Sequence, residues 1–336
     1  MIRMTSTMSR ASMAVADPPR EADPPQQADP ATPGRSPAPP GRSPERAVRA
    51  ALGLMDRSAA AGDATRRRAR ALAVVSGKGG VGKTHIAVNI AIGLATAGRR
   101  VLLVDADLGL ANVDLVLGER PRGDLGHVLA GRARLESVIQ DGPAGIRWIA
   151  GASHVPPAWR MDERWREALL SHLADLEAEH DFLVIDAPAG IGRGVMHLVG
   201  QADELLLVTT PEPTAMMDAY ALLKTAAMAK AVPDQVRLIV NMVTHRADAD
   251  GVHQRISETA RRFLGMRVGL LGYVYCDGHV GQAVRRQEPL LVAYPHSQAA
   301  WCMKRLAAAI LDGAGGAEGA SRFAFFRRLA NLLAGE

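Results

Sequence analysis

VVSGKGGVGKTHIAVN, residues 74–89, is the most informative segment of this 336-residue chain. It contains the pattern G-x-x-x-x-G-K-T from Gly77 to Thr84, which follows an aliphatic run and leads into a helix-forming segment. Glycines let backbone N–H groups surround phosphate oxygens, and the N-terminus of the next helix adds the positive end of its dipole. The order of strand, loop and helix therefore predicts a phosphate-binding loop and not a glycine-rich turn without a ligand.

Individual residues of this loop have distinct predicted roles. Lys83 is expected to neutralise the β- and γ-phosphates of a nucleoside triphosphate, and the Thr84 hydroxyl is expected to ligate Mg²⁺. Lys78 is a second lysine inside the loop, which the general pattern does not require. The residues predicted to contact the nucleotide are Gly77, Lys78, Gly79, Gly80, Val81, Gly82, Lys83, Thr84 and His85.

Three aspartates close aliphatic runs that predict strands. Asp105 and Asp107 end the second run, in VDADLGLANVD, whereas Asp186 ends DFLVID and precedes APAG. Ligands of open parallel sheets bind at the carboxyl ends of the strands. A helix N-cap is the alternative role for any one of these aspartates. Three of them beside a phosphate-binding loop favour a nucleotide and metal site, with Asp186 arranged as a Walker B aspartate.

The sequence predicts the identity of the nucleotide base less clearly than it predicts the phosphate-binding loop. GTP-specific P-loop proteins use an N-K-x-D motif, and this sequence has none. Asn241 ends the run IVN, where its amide could pair with adenine. The sequence alone leaves a capping role for Asn241 open, because asparagine is also a favoured helix N-cap.

From residue 71 onward, short aliphatic runs alternate with longer amphipathic segments. This alternation predicts a three-layer α/β fold of the P-loop NTPase type, with a mainly parallel sheet and helices on both faces. Strands are predicted at 71–76, 100–105, 146–150, 181–186, 204–210, 236–241 and 268–274. Helices are predicted at 83–97, 162–179, 213–230, 249–264 and 297–311.

Composition divides the chain into a P-loop domain at 71–311 and two extensions. Half of the 20 prolines lie in 14–45, so 1–70 is predicted to be a disordered extension with a short helix at 45–57. The net charge of +5 equals the excess of twelve arginines over seven acidic residues in 1–70. The P-loop domain is therefore close to neutral, which disfavours a nucleic-acid-binding surface.

The C-terminal extension begins with a glycine- and alanine-rich linker at 312–320. The segment 321–336 follows, and its phenylalanines and leucines fall on one half of a helical wheel opposite its arginines. This pattern predicts a basic amphipathic helix that binds a membrane surface or, alternatively, packs on the protein itself. The apolar residues predicted to enter the membrane are Phe323, Phe326, Leu329 and Leu333.

Cysteine usage and hydropathy exclude several classes. Cys276 and Cys302 are the only cysteines and are far apart, which disfavours a disulfide framework, a zinc site and an iron–sulfur bridge. No run approaches 18 apolar residues, and the N-terminus lacks a secretory pattern. The sequence therefore predicts a cytoplasmic protein.

The loop K-G-G-x-G-K-T resembles the deviant Walker A loop of the MinD/ParA class of ATPases. DADLGLANVDLVLG (105–118) and TTPEPTAMMDAYALLK (209–224) are similar to the flagellar number and placement regulators FlhG, FleN and YlxH. AVRRQEPLLVAYPHS (283–297) also resembles their C-terminal region, so the resemblance covers roughly 71–333.

The resemblance implies an ATPase that hydrolyses ATP slowly with Mg²⁺ and forms a homodimer across two ATP molecules. Lys78 is then the signature lysine, which reaches into the partner's site. By the same resemblance Asp107 positions the attacking water, Asp105 supports Mg²⁺, Asp186 holds Mg²⁺ through water, and Asn241 contacts adenine. The tail implies binding at the inner face of the cell membrane in the ATP-bound dimer.

Partners and alternatives follow from the same resemblance. An FlhF-type GTPase and a flagellar transcription activator are the implied partners, with no specific nucleic acid. A MinD-type division regulator, a ParA-type DNA-partitioning ATPase and a non-hydrolysing antiactivator scaffold are the alternatives. The chain departs from the class pattern in three places: at His85, in ERAVRAA (45–51), and in YVYCDGH (273–279), which lacks the proline found beside adenine.

Overall fold

A computed structural model describes residues 68–107, 111–129, 132–151 and 176–313 of the chain. The predicted N-terminal extension up to residue 67, most of the helix at 162–179 and the tail at 321–336 lie outside the described residues.

One sheet of eight strands organises the described residues. Its strands are Arg70–Val75 (β1), Val101–Asp105 (β2), Ile139–Asp141 (β3), Arg147–Ile149 (β4), Phe182–Asp186 (β5), Glu204–Thr209 (β6), Gln235–Val243 (β7) and Gly269–Tyr275 (β8). The strand order is β3-β4-β2-β5-β1-β6-β7-β8, and every neighbouring pair is parallel except β3 and β4. This topology confirms the predicted mainly parallel sheet.

Helices connect the strands and cover both faces of the sheet. They are Lys83–Thr96 (α1), Val113–Leu117 (α2), Leu125–Leu129 (α3), Leu135–Val138 (α4), Arg193–Gln201 (α5), Pro213–Met228 (α6), Arg246–Leu264 (α7), Gly278–Arg286 (α8), Leu290–Ala293 (α9) and Gln298–Asp312 (α10). A 3₁₀ turn at Pro143–Gly145 joins β3 to β4, and residues 176–179 are also helical.

The seven predicted strands are all present, with ends that differ by at most two residues. Four predicted helices correspond to α1, α6, α7 and α10. Strand β3 is absent from the predicted strands, because a three-residue edge strand with the sequence IQD contains no apolar run. Helix α5 was also missed, since its two glycines weaken the helical signal.

Alternate residues of the central strands point to opposite faces of the sheet, as the period of a strand requires. Leu72 and Val74 of β1 pack in one apolar cluster with residues of α1 and α10. Ala73 and Val75 pack in a second cluster with residues of α5, α6 and α7. The sheet is therefore the middle layer of three, and the central strands are buried on both sides.

The strand order also brings the candidate site together. β1 lies between β5 and β6, and β5 pairs with β2 on its other side. Asp186 is opposite Val74 in one ladder and opposite Asp105 in the other. The carboxyl ends of β1, β2 and β5 thus meet at one edge, directly beside the loop that leads into α1.

Candidate nucleotide-binding site

The phosphate-binding loop has one packed side and one open side. A Cβ atom at Gly77 would lie 2.1 Å from the backbone oxygen of Asp218 in α6, and one at Gly82 would lie 2.4 Å from the amide nitrogen of Asn241. Ideal Cβ positions at Gly79 and Gly80 meet no atom within 4 Å. Only glycine therefore fits against α6 and β7, whereas the middle of the loop faces free space.

Backbone conformation and hydrogen bonds fix the loop. Gly80 and Gly82 have φ angles of +80° and +84°, which an L side chain rarely adopts. The Ser76 hydroxyl donates to the carbonyl oxygen of Lys78 at 2.8 Å, and the Gly190 N–H donates to the carbonyl oxygen of Ser76 at 2.9 Å. The loop is thus tied to the segment that follows Asp186.

Lys83 and Asp186 form an ion pair at the centre of the site. Nζ of Lys83 lies 2.6 Å from Oδ1 of Asp186, and both side chains are buried. Burial raises the pKa of the Asp186 carboxyl, whereas the charge of Lys83 and hydrogen bonds from Lys83 and Thr84 oppose that rise. The predicted phosphate-binding lysine, the predicted magnesium-binding threonine and the Walker B aspartate therefore share one cluster.

Asp105 lies beside this cluster and is completely buried. Its Oδ1 accepts the N–H of Asp107, and its Oδ2 accepts the N–H groups of Asn112 and Val113. Burial, reinforced by the charge of Asp186, raises the pKa of Asp105 to about 6. These three contacts make Asp105 an anchor for Asp107 and for the start of α2.

Asp107 lies at the exit of β2 and is partly exposed. Its pKa is raised, mainly by burial, and the nearby charge of Lys83 counteracts the rise. The Asp107 N–H donates to Oδ1 of Asp105, and Asp105 is opposite Asp186 in the sheet. Asp107 is therefore near the phosphate end of the candidate site and is accessible to solvent.

Lys78 has a different environment from Lys83. Its Nζ lies 3.2 Å from Oε2 of Glu212 and 3.2 Å from Oγ1 of Thr214. The side chains of Lys78 and Glu212 are 41% and 67% exposed. The second lysine of the loop therefore turns toward the start of α6. Glu212 and Thr214 lie in TTPEPT, a stretch noted for its resemblance but without a role assigned to either residue.

Asn241 lies at the side of the loop where β7 ends. Its Nδ2 donates to the carbonyl oxygen of Val81 at 2.8 Å, and the residue is buried. The amide therefore supports the loop directly, which sequence reasoning missed because the contact joins residues far apart in the chain. The capping role left open by the sequence does not apply, since Asn241 lies within β7.

His85 follows Thr84 in the first turn of α1. Its Nδ1 atom is buried without a hydrogen-bond partner among the described residues. Burial lowers the pKa of the imidazole below its usual value. A buried polar atom normally has a partner, so this nitrogen is available to a bound group.

The residues fit a magnesium nucleotide. Hydroxyl and carboxylate oxygens are the ligands that Mg²⁺ prefers, and Thr84 and Asp186 supply one of each. The open glycines and the N-terminus of α1 provide N–H groups for phosphate oxygens. All the predicted site residues thus lie along one edge of the sheet.

The chain is similar to a protein family and to several known proteins. Residues 67–311 match the ParA family, described as the NUBPL iron-transfer P-loop NTPase. The antiactivator FleN of Pseudomonas aeruginosa is 38% identical over 236 residues, which are 70% of this chain and 84% of FleN. The flagellum site-determining protein YlxH of Helicobacter pylori is 32% identical over 233 residues, which are 67% of this chain and 76% of YlxH. The solved structure of the septum site-determining protein MinD of Pyrococcus horikoshii, complexed with Mg-ADP, matches with a TM-score of 0.60 at 28% identity, covering 74% of this chain and 98% of that chain.

Proposed function

Because this chain belongs to the ParA family of P-loop NTPases, we propose that it is an ATP-dependent dimerising switch that regulates the number and placement of flagella. The position of Lys78 carries this proposal. This second lysine of a complete phosphate-binding loop contacts Glu212 and Thr214 and lies exposed at the start of α6, whereas Lys83 is buried against Asp186. From there it is available to the nucleotide of a second protomer.

The chemistry of the site supports Mg²⁺-dependent phosphoryl transfer to water. Bound Mg²⁺ supplies charge neutralisation at the phosphate oxygens. Thr84 and Asp186 would hold the metal, Asp186 through water, with Asp105 supporting this arrangement from the neighbouring strand. Lys83 would bind the β- and γ-phosphates, and Asp107 would position the attacking water. Turnover is expected to be slow, since the aspartate acts without a stronger base or an arginine finger in the sequence pattern.

The orientation of Asn241 favours adenine as the base. One of the two Nδ2 hydrogens is used by the carbonyl oxygen of Val81, so Oδ1 and the second Nδ2 hydrogen remain for a ligand. An amide with one acceptor and one donor can pair with the amino group and N7 of adenine together, whereas guanine presents an acceptor, O6, in place of that amino group. We therefore propose ATP as the triphosphate, in agreement with the missing N-K-x-D motif.

The membrane part of the proposal rests on the tail. The residues Phe323, Phe326, Leu329 and Leu333 would enter the inner face of the cell membrane, and 312–320 would act as the linker. One short amphipathic helix binds weakly, whereas two helices on one dimer bind with avidity. None of the described helices is long and apolar enough to cross a bilayer.

The flagellar reading is supported by the two relatives FleN and YlxH. FleN is described as an antiactivator, so a flagellar transcription activator is a proposed partner, together with an FlhF-type GTPase. A division-site role is the second candidate, favoured by the structural similarity to MinD. A deletion strain separates them, because altered flagellar number supports the first role and misplaced septa support the second.

Iron transfer, the activity in the family description, is not proposed for this chain. Bridging a cluster requires paired cysteines on a shared surface. The sequence contains two cysteines, of which Cys276 is exposed and Cys302 is buried.

The switch is tested by light scattering and by sedimentation with anionic liposomes, each with ATP, ADP and no nucleotide. We expect a dimer and liposome binding with ATP only. Lys83→Ala should abolish both, and removal of 321–336 should abolish liposome binding while keeping the dimer. Equal liposome binding by the wild type with ADP and ATP, and by Lys83→Ala, would contradict the switch.

A further inference from the structure

Met242 has a strained backbone inside a strand. Its φ angle is +58°, a conformation that side chains other than glycine rarely adopt. Among the described residues, the other non-glycine residues with positive φ are Ala144, Lys230 and Gln287. These three lie in the turn between β3 and β4 or directly after helices, where such angles are common, whereas Met242 lies within β7.

A bulge in β7 accompanies this strain. Val240 pairs with Tyr273 and Val243 pairs with Tyr275, so three steps along β7 match two steps along β8. The extra residue lies at Asn241 and Met242. Bulges next to binding sites change the direction of a side chain, and here Asn241 turns to the carbonyl oxygen of Val81.

The side chain of Met242 lies beside the last glycine of the phosphate-binding loop. Its Cε atom is 3.9 Å from the ideal Cβ position of Gly82, and the residue is 45% exposed. An exposed apolar side chain contributes little to the folded state, and glycine would adopt the same φ without strain. Stability therefore does not explain methionine at this position, and strain of this kind is commonly found at functional sites.

We propose that Met242 is the apolar platform against which the base of the bound nucleotide packs. The inference rests on the proposed function and assigns a further specificity residue to the same site. Asn241 would read the edge of the base through Oδ1, and the thioether of Met242 would cover one face of the ring. Methionine sulfur makes favourable contacts with aromatic rings, and its unbranched side chain adapts to a flat surface.

The test compares Mg-ADP with magnesium pyrophosphate, because pyrophosphate contains the phosphates without the base. Isothermal titration calorimetry of Met242→Ala should show ADP binding weakened by about threefold to tenfold. Pyrophosphate binding should stay within about twofold of the wild type. Met242→Leu should retain most of the ADP affinity, since leucine keeps the apolar surface. Met217→Ala, at an exposed methionine of α6, serves as the matched control and should match the wild type.

Met242→Gly separates the functional role from a structural one. We expect it to raise the melting temperature of the nucleotide-free protein relative to Met242→Ala, while ADP binding stays as weak as in Met242→Ala. Equal ADP affinity for the wild type and Met242→Ala, or an equal loss for ADP and pyrophosphate, would overturn the inference.

The outcome also distinguishes this inference from its premise. A wild-type protein that binds neither ADP nor ATP contradicts the proposed function and the platform together. If the wild type binds ADP and Met242→Ala binds it equally tightly, only the platform is contradicted. If Met242→Ala binds ADP normally but fails to dimerise with ATP, Met242 belongs to the contact between protomers and the inference is wrong.

Discussion

Lys83 and Asp186 form a buried ion pair, with the lysine Nζ 2.6 Å from Oδ1 of the aspartate. The pair joins the first residue of α1 to the last residue of β5 across 103 positions of sequence. In the proposed reaction the same two groups serve different ligands, since Lys83 binds phosphates and Asp186 holds Mg²⁺. The pair therefore keeps both charges compensated inside the site.

Removing one partner of this pair should destabilise the protein. Lys83→Ala leaves the Asp186 carboxylate buried without its partner, which is expected to cost about 3 kcal/mol of unfolding free energy. The double variant with Asp186→Asn should recover a large part of that loss, because the uncompensated charge is gone. Urea denaturation of the four proteins in the cycle measures this coupling. If the two single-variant losses of unfolding free energy simply add in the double variant, the ion pair is not the cause of the destabilisation.

Substitution of the two loop lysines, Lys78 and Lys83, should have different effects on nucleotide binding and on the ATP-dependent dimer. Lys78 is exposed, so Lys78→Ala should change the unfolding free energy by less than about 0.5 kcal/mol. It should also leave Mg-ATP binding intact, but it should abolish the ATP-dependent dimer. Lys83→Ala should lose nucleotide binding itself. Calorimetry and light scattering on the same preparations give the two readouts, and a Lys78→Ala protein that dimerises with ATP contradicts the assignment.

Asp107 should affect hydrolysis more than binding. Asp107→Ala removes a carboxylate that positions water, so we expect the ATP hydrolysis rate to fall by about a hundredfold or more. ATP affinity and the ATP-dependent dimer should remain, since Lys83 and Thr84 are unchanged. Phosphate release is the assay, with Asp114→Ala in α2 as a nearby acidic control. A hydrolysis rate unchanged by Asp107→Ala would assign the water to another residue, whereas a wild type without turnover would be a scaffold.

Asp105 should make stability depend on pH. Its pKa is about 6 in the folded protein and 3.8 in its usual state, so the folded protein binds this proton more tightly. Stability therefore rises as the pH falls through 6, and the rise is complete near 3.8. Between pH 7.5 and 5 the wild type should gain about 1 kcal/mol relative to Asp105→Asn. Urea denaturation of both nucleotide-free proteins, with a chelator present, measures their unfolding free energies. Histidines such as His85 are common to both proteins, so their titration cancels in the difference.

Asn241 should determine the preference for ATP over GTP. Asn241→Ala removes both the support of the Val81 carbonyl and the acceptor proposed for adenine. The ratio of ATP affinity to GTP affinity is expected to fall about fivefold to tenfold, the value of one or two hydrogen bonds. Competition binding with the two nucleotides provides the ratio. If the ratio stays unchanged while both affinities fall, Asn241 supports the loop only.

The fold was predictable because its pattern is local. Seven strands have apolar runs of their own, and the phosphate-binding loop has its glycines and lysine in one continuous segment. The edge strand β3 was not predictable, since its three residues owe their conformation to pairing with β4. The strand ends that contain Asp105 and Asp186 were located from the same runs, so both aspartates were placed at the correct edge.

Contacts between distant residues depended on the tertiary structure. The partner of Lys78 is Glu212, 134 positions away, and the partner of Asn241 is Val81, 160 positions away. The strain at Met242 arises from a bulge that exists only because β7 and β8 are paired. Nothing in the local sequence around these residues specifies such partners.

The phosphate-binding loop, most of the strands and helices, and the candidate site residues were predictable from the sequence alone, because each depends on neighbours along the chain. The contacts of those residues depend on the tertiary structure. It paired Lys83 with Asp186, turned Lys78 to Glu212 and used the three N–H contacts of Asp105 to anchor Asp107 and α2. These outcomes follow from the order β2-β5-β1-β6-β7, which brings the ends of distant strands together at one edge.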